Sequence, residues 1–114
     1  MDLKLRSKKF SYECVDLAIN LPKTMFADHV RKQLIRCSTS VAANYRAACL
    51  AQTKKGFISK LSIVIEEADE SIFWIEFLKD KKLYNTHQVN NVLNEAKELT
   101  AIFISSRITA SKNI

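Results

Sequence analysis

Gly56 and Pro22 are the sole glycine and the sole proline among 114 residues. All-β domains turn often, and their turns draw on Gly, Pro, Asn and Asp. So little punctuation leaves room for only a few long helices joined by short connections. The length fits one domain spanning 1–114. Apolar residues make up 47% of the chain, which is enough to build a core and too many for a disordered polymer.

Apolar spacings of three and four predict four helices at about 7–21, 28–51, 57–79 and 86–106. The first carries Phe10, Cys14, Leu17, Ala18 and Leu21, and Pro22 ends it because proline lacks an N–H and disfavours helix in the residue before it. The second starts near Asp28, a suitable N-cap residue, and presents Val30, Leu34, Cys37, Val41, Tyr45 and Ala48. Its alanine-rich run, residues 41–48, allows another helix to approach closely. The break at 53–56 precedes a third helix with Phe57, Leu61, Val64, Ala68, Ile72 and Ile75 inward, and Lys79, Lys81 and Lys82 suit its negative end. Thr86 is the expected cap of the fourth, whose inward residues are Val89, Val92, Leu93, Ala96, Leu99 and Phe103. Residues 110–114 are expected to fray. The expected fold is an all-α, antiparallel up-down four-helix bundle. Three helices with an extended first segment is the structural alternative.

No apolar run follows the basic N-terminus, and runs such as Ile72-Phe73-Trp74-Ile75 are too short to cross a bilayer. The expected compartment is the cytoplasm. Cys14, Cys37 and Cys49 are odd in number and widely spaced, which argues for buried reduced thiols over a disulfide framework or a zinc site. Charge is uneven along the chain. Residues 1–60 hold twelve Lys and Arg against four Asp and Glu, a balance of +8, whereas residues 61–114 hold six against eight, a balance of −2. The two halves can attract each other inside the bundle or between subunits, or the basic half can serve an external anion.

A bundle helix needs one apolar stripe. The third helix has a second, with Ile63, Phe73, Trp74 and Phe77 lying away from its main face. Large aromatics there point to a protein–protein interface and so to self-assembly. Ile35, Ala42 and Cys49, at seven-residue spacing on the second helix, offer a complementary stripe. Polar residues border these faces in a pattern: Arg36, Ser40 and Asn44 are successive i,i+4 neighbours, and Lys60, Glu67 and Trp74 repeat every seven residues. Glu66 and Glu70 point among the aromatics, where partly desolvated carboxylates require partners; Arg36 or Arg46 can reach them.

The run from Gln33 to Ala48, followed by Phe57-Ile58-Ser59-Lys60-Leu61, Glu67-Ala68-Asp69-Glu70-Ser71 and Trp74, resembles the signature of a bacterial family of small four-helix-bundle proteins. Its members include proteins encoded in intervening sequences of large-subunit ribosomal RNA genes. The resemblance extends over most of the chain and implies a homopentamer without catalytic residues. The positions matching the family's polar signature are Arg36, Ser40, Asn44, Lys60, Glu67, Glu70 and Trp74. A more distant resemblance connects the chain to the accessory protein of diversity-generating retroelements, a pentameric barrel that binds nucleic acid and a reverse transcriptase. Two departures stand out. Gly56 occupies a place where the family often has an acidic residue, which shifts the capping role toward Thr53. Cys37 replaces a small hydroxyl residue.

Catalytic constellations are thin. Asp28 and His29 are sequence neighbours on a helix and do not face each other. One glycine builds no phosphate loop. Glu66, Glu67 and Glu70 lack the Glu-x-x-His pairs of bundles that hold two metals. The chain therefore reads as a non-enzyme that takes no cofactor or metal. The leading expectation is binding of RNA or DNA through Lys4, Arg6, Lys8, Lys9, Lys23, Arg31 and Lys32, by phosphate contact and without a base-reading motif. The alternative is an oligomeric scaffold for a protein partner.

Overall fold

Four α-helices follow one another: α1 (Leu3–Ile19), α2 (Met25–Cys49), α3 (Lys54–Asp80) and α4 (Thr86–Lys112). They are seen in a computed structural model that describes residues 2–112. No strand occurs among the described residues. Each helix packs on the next in the chain, α2 against α3 most extensively, and α1 meets α4 along a smaller contact that closes the bundle. Three short links, residues 20–24, 50–53 and 81–85, make successive helices antiparallel. At about 1.5 Å per residue the 27-residue helices α3 and α4 run most of the 47 Å long axis. The first segment is a full helix, so the three-helix alternative falls.

The helix ends differ from those expected, and capping chemistry explains each case. Asp2 accepts the Leu5 N–H at 2.9 Å, so α1 begins at Leu3 and not near Ser7. Thr24 accepts the Ala27 N–H at 3.2 Å and starts α2 three residues ahead of Asp28. Thr53 accepts the Gly56 N–H at 3.0 Å, bringing Gly56 into the first turn of α3. Asn85, rather than Thr86, accepts the Gln88 N–H at 3.0 Å ahead of α4. Each cap satisfies an N–H that lacks an intrahelical partner. At the other end of α3, Lys82 takes a left-handed φ of 52°, and the Leu83 N–H reaches back to the Leu78 carbonyl at 3.0 Å. This is the six-to-one closure usually built on glycine. Helix α4 continues to Lys112, so residues 110–112 are helical and not frayed. The rest of that tail, residues 113 and 114, lies outside the described residues, as does Met1.

The inward stripes converge on one core. Phe10, Leu34, Leu61, Ile75, Leu78, Leu99 and Phe103 are its largest fully buried side chains, each contributing roughly 1.5–3 kcal/mol of transfer free energy. Cys14, Ala18, Ala27, Ala68 and Ala96 are fully buried among them; small side chains let backbones approach. Two buried hydroxyls turn to backbone carbonyls: Ser11 donates to Ser38 O at 2.6 Å, tying α1 to α2, and Ser71 donates to Glu67 O at 2.8 Å. Cys14 and Cys37 are buried as expected, whereas Cys49 is exposed. Burial pushes the Cys37 thiol up to about 11 and raises Cys14 above its ordinary value.

Candidate interaction surfaces

One surface lies along the outer edge of the α2–α3 pair. Phe73, Trp74 and Phe77 form a mutual ring cluster with centroids 4.9–5.5 Å apart. From α2, Phe26 adds an edge contact to Phe77 at 5.7 Å, and the exposed His29 stacks edgewise on Trp74 at 5.3 Å. These separations and tilts are those aromatic pairs prefer. Phe26 and Phe73 still keep 40% and 50% of their surface in water. Trp74 packs against the core and donates its indole N–H to Glu70 at 3.2 Å.

Glu70 extends the cluster into an ion-pair network. Arg36 on α2 donates one guanidinium nitrogen to Glu70 and another to Glu67 at 3.1 Å, one fork gripping two carboxylates a turn apart. Gln33 accepts from the same guanidinium at 3.3–3.4 Å. The geometry chooses Arg36 over Arg46 as the partner of these carboxylates. Asn44 donates to the Ser40 hydroxyl at 2.8 Å, joining two more of the signature positions to each other. Lys60 is exposed one turn-pair up the same edge of α3. Glu66 is exposed instead of lying among the aromatics. Of the expected side stripe on α2, Ile35 packs on the core, Ala42 lines a groove against α1, and Cys49 faces solvent.

The basic residues of the first half do not form one patch. Arg6 turns to α4, where it pairs with Glu95 and Glu98 at 2.7 and 2.8 Å. Those hydrogen bonds, Glu95 first, hold its guanidinium protonated above the ordinary arginine range. Lys9 borders the same hollow, with Glu13, Glu95 and Glu98. Arg31 is also engaged within the fold. It donates to the carbonyls of Ala18 at 3.0 Å, Leu21 at 2.8 Å and Pro22 at 3.1 Å, and it pairs with Asp28. Helix α1 has no basic residue in its own last turn, so Arg31 supplies from α2 the cation that a helix C-terminus attracts. Asp28 therefore serves as an ion-pair partner and not as a cap. Arg6 and Arg31, read from sequence as phosphate contacts, already have internal partners. Lys23 and Lys32 are exposed.

Lys4 and Lys8 face the other way. With Leu5, Ser11 and Tyr12 of α1 and Thr39, Ala42, Ala43 and Arg46 of α2 they line a groove of about 420 Å³ that contains no carboxylate among the described residues. Lys32, Thr39 and Arg46 repeat every seven residues and so share this edge of α2. Tyr12 and Leu5 are each 57% exposed. A larger hollow of about 670 Å³ between α3 and α4, floored by Phe57 and small residues of α4, has Glu98 and no basic residue on its walls. It is therefore the less suitable of the two for an anion. Sequence reasoning alone does not single out Tyr12, Leu5 or Phe26, and it does not place His29 against Trp74. A signal existed for Phe26: Thr24 is an N-cap residue, and it brings Phe26 into the first turn of α2.

Among the described residues, no group of three or more His, Cys, Asp or Glu is placed to hold a metal ion. Among the same residues, no helix is long and apolar enough to cross a membrane.

The architecture has a close counterpart in a crystal structure of a protein of unknown function from the S23 ribosomal protein family of Bacteroides thetaiotaomicron. That chain is 31% identical, superposes with a TM-score of 0.84, and the match covers 93% of this chain and 98% of the other. No curated protein matches the sequence. The family model described as 23S rRNA-intervening sequence protein matches residues 1–105. The chain that buries Phe10, Leu61 and Phe103 and joins Arg36 to Glu67 and Glu70 belongs to the 23S rRNA-intervening sequence protein family.

Proposed function

We propose that this protein is a non-enzymatic, cytoplasmic homo-oligomer, a pentamer on the family resemblance, that binds RNA or DNA through the basic surface of α1 and α2. One observation carries the nucleic-acid reading. Lys4, Lys8 and Arg46 converge on a groove whose lining includes no carboxylate, whereas Arg6 and Lys9, nearby on α1, are matched by Glu95, Glu98 and Glu13. Unmatched cations concentrated in a concave surface attract polyphosphate, and release of its counterions makes binding salt-dependent. Assembly is supported by the half-exposed aromatics Phe26 and Phe73 beside the Arg36 network. Repetition of the groove around an axis would turn modest affinity per site into avidity.

The test is a titration of labelled RNA and DNA at two salt concentrations, with the mass measured by sedimentation equilibrium. A mass several times 13.0 kDa is expected. Replacing Lys4, Lys8 and Arg46 with glutamine should lower affinity and reduce the slope of log affinity against log salt by about 2–3. Lys9→Gln should change that slope little. A clean monomer would remove the assembly reading. No binding at low salt would leave the scaffold for a protein partner in front, a reading that the aromatic surface favours by itself.

A further inference from the structure

The groove between α1 and α2 has two characters at once. Its rim is cationic, with Lys4 and Lys8 on one side and Arg46 on the other. The rest of its lining is small-chained, Ala42 and Ala43 with Ser11 and Thr39, whose hydroxyls donate to the carbonyls of Ser38 and Ile35. Over one end stands the Tyr12 ring, 57% exposed. The acidic residues of α1 lie elsewhere: Glu13 and Asp16 border a separate hollow between α1 and α4. The only acidic residue of α2, Asp28, is paired with Arg31.

Tyr12 makes none of the ring contacts that hold Phe26, Tyr45, Phe73, Trp74, Phe77 and Phe103. A duplex presents phosphates to a basic groove but keeps its base faces stacked inside. An extended single strand offers phosphates and unstacked bases together, and an aromatic ring beside a row of cations suits both. An isologous contact with a second copy would instead set Lys4, Lys8 and Arg46 against themselves.

Resting on the nucleic-acid reading above, we infer that this groove binds single-stranded nucleic acid, with Lys4, Lys8 and Arg46 on the phosphates and one base stacked on Tyr12. Helix α2 sets the register. Lys32, Thr39 and Arg46 are spaced by seven residues, about 10.5 Å apart along the helix, so the strand lies along the helix pair and not across it. Small side chains at Ala42 and Ala43 leave room for a base or ribose on the floor. Stacking tolerates any base, which gives binding without sequence preference.

The experiment compares a labelled single-stranded oligouridylate with an RNA duplex of the same length, by fluorescence anisotropy on the full chain at two salt concentrations. Tyr12 is exposed, so Tyr12→Ala should fold, which thermal melting checks. Tyr12→Ala is expected to weaken single-strand binding roughly 5- to 150-fold with the salt slope unchanged, because no charge is lost. Tyr12→Phe should retain nearly full affinity. Duplex binding should be weaker and indifferent to both variants. Single-strand affinity unaltered by Tyr12→Ala, or a preference for duplex, overturns the inference while leaving the basic-surface reading intact. Loss of the assembled mass in Tyr12→Ala overturns it in favour of a second copy in the groove. Displacement of the oligonucleotide by polyglutamate at equal charge, with Tyr12→Ala neutral, overturns it in favour of an acidic protein. Absence of any nucleic-acid binding defeats both readings together.

Discussion

Arg36→Met offers the sharpest test of what the α2–α3 surface does. The guanidinium is half in water, with 50% of the side chain exposed, and its partners Glu67 and Glu70 retain 18% and 35%. In a lone protomer the Glu70 arm resembles a surface ion pair, worth at most about 1 kcal/mol. Glu67 is better covered, and losing its charged hydrogen bond adds a further contribution, which brings the expected cost to about 1–2 kcal/mol. If an assembly covers this surface, water no longer compensates the two carboxylates, and stranding them costs about 3–5 kcal/mol. The difference, about 2–3 kcal/mol, corresponds to roughly 30- to 150-fold weaker association. Urea unfolding at several protein concentrations, alongside sedimentation equilibrium, separates the two cases. The expected result is a loss of stability that grows with protein concentration in the range where the wild type assembles, and a shift of mass toward the protomer. A double-mutant cycle with Glu70→Gln should recover part of the loss, because Trp74 can still donate to the amide oxygen. A cost near 1 kcal/mol at every concentration with unaltered mass would show a solvated ion pair on a free surface, and the assembly argument would lose its structural support.

Two further outcomes concern the fold itself. The Cys37 thiol is pushed up by burial from about 9 to about 11, and Cys14 is raised by the same cause. Both are neutral in the folded chain where the unfolded chain ionises them. Their contribution is fully present below about pH 9 and is lost as pH rises toward 11, by about 1.4 kcal/mol per pH unit per thiol; urea midpoints across this range should fall, and less steeply in Cys37→Ala. Lys82→Gly should raise stability by about 0.5–1 kcal/mol, because glycine adopts the left-handed conformation at φ 52° without the steric cost lysine bears; an unchanged or lower melting temperature would refute that account.

The helices were legible because their centres obey a 3.6-residue period that survives any choice of neighbours. Phe10, Leu34, Leu61, Ile75 and Phe103, all named as inward from spacing alone or lying on such a stripe, are fully buried or nearly so. Their ends were not legible to the same degree. A cap is a single side chain accepting one N–H, and Asp28 and Thr24 are both suitable residues within five positions. Only Thr24 has the helix's first turn beginning beside it. The polar network was half legible: carboxylates at Glu67 and Glu70 demanded a cation, but the choice of Arg36 over Arg46 depends on how α2 is rotated against α3. The basic residues show the clearest failure. Lys4, Arg6, Lys8 and Lys9 cluster in sequence, but about 100° per residue sends Lys4 and Lys8 toward α2, and Arg6 and Lys9 toward α4. Glu95 and Glu98 then pair with Arg6 and leave Lys9 in an acid-lined hollow, a tertiary fact no local pattern contains.

Charge also dictates which surfaces can be buried in an assembly. A contact that excludes water tolerates Arg36 because two carboxylates and an amide oxygen already surround it. The same exclusion imposed on Lys4, Lys8 and Arg46 would strand three cations without a protein anion in their groove, at a desolvation cost larger than the apolar gain from Leu5 and Tyr12. The groove must therefore stay wet or meet an anion, while the aromatic surface is free to lose its water. Assembly through α2–α3, as proposed, would multiply the unmatched cations without covering them, and their mutual repulsion would grow with each added copy. A polyanion would relieve that repulsion, so by linkage its binding and the assembly would favour each other. The net +6 of the chain is thus not a uniform coat. Arg6 and Arg36 are each met by two carboxylates at the α1–α4 and α2–α3 seams, whereas Lys4, Lys8 and Arg46 gather along the α1–α2 groove.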